Sequence, residues 1–321
     1  MLLNTLSKVL EAIVAERIRA AAETHALLLP TQMGARRLRS TETALQLITN
    51  KIHTVWGANR SRIASLLSLD VSGAFPNVSH ARLIHNLRKR RIPKEIINWV
   101  ADFLTNRETE IRLSTYTLES SWVDTGIPQG SRMSPILYLF YNADLLDICE
   151  NVTLRTSRSG FIDDVNIIVH SKSAEQNCKN LECIHHACEE WAIRHGSSFN
   201  VKKYDLIHFT RSPKRFNIKA KINITTANAN VEIRPKADVR ILGVHLDPAL
   251  RWKPHLRAVE AKAMSQLNAL KTITGSTWGA SLETGLRVYS AAIRPAILYG
   301  CSTWYAPENT PEHRKSIARE L

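Results

Sequence analysis

Apolar positions recur along the chain with two periods, and the switch between them predicts the element order. Leu3, Leu6, Leu10, Ile13 and Ile18 follow helical spacing and predict an amphipathic helix over residues 2–22. Pro30 punctuates the chain. Ser40 or Thr41 is then placed to cap a helix over 42–55. Residues 63–71 form a dense apolar run ending Leu69-Asp70-Val71, which reads as a buried central strand. Helices are expected over 79–91 and 93–105, a hairpin over 110–123, and an apolar helix over 133–149, for which Ser131 or Ser134 is a candidate cap. Next comes Ser159-Gly160-Phe161-Ile162-Asp163-Asp164-Val165, read as strand, tight turn and strand, with arms at 153–156 and 165–169. A long helix over 174–194 stops near Gly196, a strand follows at 206–209, and 212–235 reads as loops and a β-ribbon. Residues 239–246 form a strand pair or turn. Helices over 256–273 and 282–298 complete the pattern, with Trp278 and Tyr289 expected between them. The first helical pattern is already under way at Met1, which reads as part of something longer.

Composition narrows the class. Of 321 residues 44% are hydrophobic, enough for a sizeable core in two or three subdomains. Lys and Arg number 43 against 29 acids, a formal charge of +14, which points to a polyanionic partner. No apolar run reaches bilayer length, and Glu11 and Glu16 argue against a leader peptide, so an intracellular protein is expected. Cys178, Cys183 and Cys188 fall five apart on a helix and so do not share one face; they read as reduced thiols rather than metal ligands. No protein partner is deducible.

The candidate chemistry is acidic. An ionised Asp70 at the end of a buried strand needs a partner, and the adjacent Asp163 and Asp164 repel each other unless a cation compensates them. A metal shared by all three answers both needs. Gly126-Ile127-Pro128-Gln129-Gly130-Ser131 feeds a helix and lets backbone approach a bulky ligand. Arg36, Arg37 and Arg39 beside a helix N-terminus make a phosphate cradle.

Taken in order, these segments resemble the reverse transcriptase domain of non-LTR (LINE-like) retrotransposons, of the kind found in filamentous fungi, over nearly the whole chain. Gln32-x-Gly34-x-Arg36 with Arg39-Ser40-Thr41 is similar to a fingers motif. Leu69-Asp70-Val71-Ser72-Gly73-Ala74-Phe75, the Gly126–Ser131 loop and Phe161-Ile162-Asp163-Asp164 are similar to the three principal palm motifs, Lys203 to the fourth, and Leu242-Gly243-Val244 to the primer grip. The resemblance implies an α+β right-hand polymerase, with an antiparallel palm sheet backed by helices. Fingers would span 1–62 with further parts within 88–123, the palm 63–245, and a helical thumb 246–321. It implies RNA-templated DNA synthesis with two Mg²⁺ ions, or Mn²⁺, on an RNA template and DNA primer with dNTPs as substrates. Asp70 and Asp163 would bridge the ions, Asp164 would assist, and the Val71 carbonyl would add a ligand. Lys203 would serve the pyrophosphate, Arg36 and Arg39 the triphosphate, Phe75 the sugar and Gln129 the nucleotide. Pro128, Gly130, Leu242 and Gly243 would lie along the template–primer. A silent nucleic-acid-binding relic and a metal-dependent nuclease are the rival expectations.

Overall fold

The computed structural model describes residues 5–305 apart from 111, 114–115, 216–217, 226–229 and 275–277. The expectations for residues 2–4 and 306–321, and parts of those for 110–123 and 212–235, lie outside the described residues. In chain order the elements are α1 (Thr5–Thr24), β1 (Gln32–Met33), α2 (Thr41–Ala58), β2 (Ile63–Leu69), β3 (Val71–Ser72), α3 (His80–Lys89) and α4 (Lys94–Leu104). Four short strands follow: β4 (Glu108–Thr109), β5 (Arg112–Leu113), β6 (Tyr116–Thr117) and β7 (Ser121–Trp122). Then come α5 (Ser134–Cys149), β8 (Thr156–Phe161), β9 (Asp164–Ser171), α6 (Ala174–His195), β10 (Ser198–Phe199) and β11 (Asp205–Phe209). The last elements are β12 (Ile222–Thr225), β13 (Asn230–Ile233), β14 (Val239–Ile241), β15 (Val244–Leu246), α7 (Lys253–Ile273), α8 (Leu282–Val288), α9 (Arg294–Ile297) and α10 (Cys301–Trp304).

The central sheet has the order β1-β8-β9-β2-β11. Only the β1–β8 pair is parallel. β2 reads Ile-Ala-Ser-Leu-Leu-Ser-Leu, and six of its seven residues are buried because both of its faces are covered. Alternation along the strand sends Leu67 and Leu69 to one core and Ala64 and Leu66 to the other. The first core lies against α5 and α6, the second against α2 and the β14–β15 hairpin. Truncating Leu66 to Ala would cost about 2–5 kcal/mol, because both neighbouring strands hold its cavity open.

Local signals place most boundaries. The Ser40 hydroxyl accepts from the Thr43 amide and starts α2. Ser79 and Ser173 cap α3 and α6 in the same way, and Gly196, left-handed at φ 64°, ends α6. α5 differs from expectation. Neither serine caps it: Ser134 donates to the Pro128 carbonyl, and Ser131 donates to Glu11 while accepting from the Met133 amide.

Three packing expectations are corrected. The first arm of the acidic hairpin is β8, not 153–156, which lies in a turn apart from Thr156; a two-residue turn requires its arms to abut the acidic doublet. α1 buries Glu11, Ala15, Ile18 and Ala22, while Leu6, Leu10 and Ile13 are 74%, 53% and 48% exposed. Its small-residue face permits close approach, which outweighs the larger apolar stripe. Trp278 and Tyr289 do not fill the space between the last helices; they are 63% and 37% exposed, and a π-helical turn at Tyr289–Ile293 interrupts the expected long helix.

Candidate active site

Register brings the acids together. β2 pairs antiparallel with β9 through Leu69↔Val165, so one further step sets Asp70 opposite Asp164. Both continue the strand face that carries Leu66 and Ile168. Asp163 sits beside them in the turn, after Ile162 at φ 54°. On the other flank the Asn200 amide donates to the Asp70 carbonyl at 2.9 Å. Alternation therefore turns the Val71 carbonyl away from β10, to the side of the acidic turn.

The electrostatics follow from that crowding. Burial, then Asp163, then Asp70 push the Asp164 carboxyl up to about 6. The Tyr138 hydroxyl, buried beneath, is raised by burial and by Asp163, Tyr141 and Asp70 in turn. Among the described residues one cation answers this charge directly: Lys203 Nζ lies 3.3 Å from Asp70 Oδ2. Among the described residues no group of three or more His, Cys, Asp or Glu is already arranged as a metal cage. The donor set nonetheless suits a divalent ion, since hard carboxylate oxygens in an excess of negative charge need one. Mg²⁺ draws its remaining ligands from water and phosphate rather than from a closed protein cage.

The turn is held by a polar relay. Gln32 Nε2 donates to Asn142 Oδ1 at 2.8 Å and to the Leu139 carbonyl at 2.7 Å; Asn142 Nδ2 donates to the Ile162 carbonyl at 2.6 Å. The Ile162 amide donates to the Met33 carbonyl at 3.2 Å. Gly34, at φ 78°, lies against Ile162, where a Cβ would meet Cγ1 at 2.6 Å. The expected fingers motif thus supplies an edge strand of the central sheet, packed on the acidic turn. Asn142 and Tyr138 were not singled out from sequence. An asparagine directly after the apolar run Tyr138-Leu139-Phe140-Tyr141 was the signal available for the first.

The remaining expected residues divide. Phe75 is half-buried and stacks on Tyr138, with ring centroids 5.4 Å apart. Its carbonyl accepts from the Ile127 amide at 2.9 Å, which ties the 126–131 loop to the Asp70 segment. Pro128 is buried, whereas Gln129 and Gly130 are exposed next to it. Leu242 and Gly243, both at positive φ, form the tip of the β14–β15 hairpin, and Tyr299 donates to the Leu242 carbonyl at 2.9 Å. Arg39 is partly exposed and donates to the Pro30 carbonyl. Arg36 departs from its expected role. Its guanidinium is buried and donates to both Glu23 carboxylate oxygens (2.6 and 2.8 Å) and to the Leu29 and Gln32 carbonyls. It is committed to holding α1 against β1 and is not a free triphosphate clamp. Glu23 answers it, its carboxyl lowered chiefly by that hydrogen bond.

The family described as reverse transcriptase (RNA-dependent DNA polymerase) matches residues 1–246. The chain belongs to this family. Among its relatives are a probable RNA-directed DNA polymerase from transposon X-element of Drosophila melanogaster, 25% identical over 94% of this chain, and the RNA-directed DNA polymerase from mobile element jockey of Drosophila funebris, 21% identical over 94%. This chain spans about a third of the length of each, 32% in both cases. Solved telomerases share the fold of this reverse transcriptase chain. That of Candida albicans, in complex with a fragment of telomeric RNA, has a TM-score of 0.54 at 10% identity, covering 98% of this chain and 55% of the telomerase chain. That of Candida tropicalis, likewise with telomeric RNA, has a TM-score of 0.51 at 12% identity, covering 99% and 48%. The right-hand polymerase fold expected from sequence is therefore present. The relatives named are insect elements; the nearness to fungal elements rests on the motifs alone. Among the described residues no helix is long and apolar enough to cross a membrane.

Proposed function

We propose that this chain is the RNA-directed DNA polymerase unit of a non-LTR retrotransposon, extending a DNA primer on an RNA template. The observation that carries the reading is the register that sets Asp70 opposite Asp164 with Asp163 in the adjoining turn. Fingers would be residues 1–62 with parts of 88–123, the palm 63–245 and the thumb 246–321.

Asp70 and Asp163 would hold two divalent ions, Mg²⁺ or Mn²⁺, with Asp164 assisting and the Val71 carbonyl as a further oxygen. Bound there, such ions would lower the pKa of the primer hydroxyl and offset charge on the leaving pyrophosphate. The chain's own residues do the rest. Asp164, raised by burial and then by Asp163 and Asp70, would release its proton when positive charge arrives. Lys203 now neutralises Asp70; with substrate bound it would turn to the pyrophosphate and offset its charge. Arg39 would contact the triphosphate, with Arg36 serving as scaffold. Phe75, braced on Tyr138, would lie under the sugar and clash with a 2′-hydroxyl. Gln129 and Gly130, exposed beside buried Pro128, would face the nascent pair and duplex. Leu242 and Gly243 would steady the primer end. Binding energy spent on this alignment is what makes the in-line attack effectively unimolecular.

Primer extension on poly(rA)·oligo(dT) tests the reading. Wild type should extend, and Asp163→Asn should lose about a thousandfold or more, since a metal carboxylate supplies several kcal/mol of transition-state stabilisation. The Lys203–Asp70 ion pair favours one alternative, a silent relic that binds nucleic acid with one of its three acids already paired. Duplex binding without extension in the wild type would establish that alternative. Shortened products would indicate a nuclease instead.

A further inference from the structure

At the Ile63 end of the sheet, the end away from Asp70, positive charge gathers without comparable acid. A groove of about 360 Å³ is lined there by Lys172, Lys214, Arg215 and Lys219, with Glu175 as its one acid. Through Ile218 and Lys219 it adjoins a second groove of about 610 Å³ along the β12–β13 ribbon. The acid in that second groove, Glu232, is already paired with Lys221 and Arg234. Other cations, which line neither groove, add to the positive charge at this end. Burial lowers the His170 imidazole, and Lys51, Arg62 and Arg155 lower it further. His53 is lowered by burial and by Arg211. β2 runs the whole way from this end to Asp70, so the first groove stands roughly 20 Å from the acids at about 3.3 Å per residue. The second groove runs back along β11, where Lys236 pairs with Asp205 opposite Ser68.

The shape and chemistry select the ligand. The grooves are concave, which suits a projecting phosphate backbone and not a flat lipid surface. Among the described residues the lining of both grooves offers ammonium and guanidinium groups and no Phe, Tyr or Trp. Lysine ammonium groups and a guanidinium in a concave track contact successive phosphates of a helix irrespective of sequence.

We propose that the first of these grooves, lined by Lys172, Lys214, Arg215 and Lys219, is a second nucleic-acid-binding face, which grips the phosphate backbone of a helical segment lying outside the template–primer groove. It goes beyond the polymerase reading, because this site needs none of the three acids. Helical RNA and helical DNA present the same phosphodiester chemistry, so the probes are a closed RNA hairpin and its DNA counterpart.

The test compares the whole chain with Lys172→Glu/Lys214→Glu/Lys219→Glu, all three positions being exposed. Circular dichroism and melting confirm folding, and a Lys→Gln triple serves if the charge reversal fails to fold. Fluorescence anisotropy should show hairpin affinity falling about tenfold or more. The salt slope should become shallower by about two to three, close to one for each phosphate that the chain no longer neutralises. Extension of a short poly(rA)·oligo(dT) substrate should be unchanged. Asp163→Asn should show the reverse pattern: hairpin binding kept and extension lost. A fall with RNA only, or with DNA only, identifies the source of the backbone. Unchanged hairpin affinity overturns the proposal. So does an equal loss on the short substrate, or wild-type capture by phosphatidylserine vesicles in place of either hairpin. An inactive wild type that still binds through the lysines would refute the polymerase reading and leave this one standing.

Discussion

At the scale of single residues, the chemistry is set by charges that the chain does not neutralise by itself. Asp164 is the clearest case. Its folded pKa of about 6 lies above the value of 3.8 for a free Asp, so the folded protein holds a proton that the unfolded chain has released. The associated stability is complete below about pH 4 and disappears as pH rises through 6. Without divalent ions, Asp164→Asn should therefore melt higher than wild type above pH 6, with the gap closing as pH falls to about 4. Added Mg²⁺ should narrow the same gap at pH 7 by compensating the carboxylate. Differential scanning calorimetry at several pH values, with EDTA or Mg²⁺, checks both; a gap independent of pH would show that Asp164 is not crowded. Phe75 makes the second residue-scale prediction. Braced on Tyr138, it has little room to retreat from a ribose. Phe75→Val should raise rNTP use relative to dNTP by about 10–100-fold, the size of a pocket-contact discrimination of 1–3 kcal/mol. The ratio of kcat/KM for the two nucleotides is the measurement.

At the scale of elements, the acidic hairpin depends on partners remote in sequence. β1 adds itself parallel to β8, and the Gln32–Asn142–Ile162 relay locks the turn to α5. Asn142→Leu strands the Ile162 carbonyl and removes one of the acceptors of the Gln32 amide. Each buried polar group left unpaired costs about 1–3 kcal/mol. The expected result is a lower melting temperature together with a fall in kcat larger than any rise in KM for template–primer, because the turn that carries Asp163 loosens while the binding surfaces stay. Loss of stability with kcat unchanged would reduce the relay to a scaffold. Arg36 carries the complementary lesson. A motif arginine read as a phosphate ligand is satisfied by Glu23 and two carbonyls, and local sequence gave no hint of a partner thirteen positions back.

At the scale of the whole molecule, the two cores on either side of the sheet hold several imidazoles neutral. His185 and His255 are pushed down to about 4, mainly by burial. A folded pKa below the free value of 6.5 means that acid charges the unfolded chain first. That contribution is complete above pH 6.5 and is lost as pH falls toward 4. The protein should melt ~5 °C lower or more at pH 5 than at pH 7, on the ordinary scale of 2–4 °C per kcal/mol for a chain of this size. His255→Asn should flatten the slope, and a wild type equally stable at both values would contradict the assignment.

Periodicity and motif order determined the succession of elements, the buried central strand and the acidic turn, because hydrophobic spacing and turn chemistry act over a few residues. The same local information led to wrong burial for α1 and Trp278, where packing between distant segments decides which face is covered. Sequence named Asp70, Asp163 and Asp164 but held no measure of their separation. Only strand register, fixed by side-chain packing on both faces of β2, set Asp70 opposite Asp164. Likewise, that the spare cations collect at the far end of the sheet and that Arg36 is consumed internally are consequences of folding, since charge along a chain has no direction until the backbone gives it one.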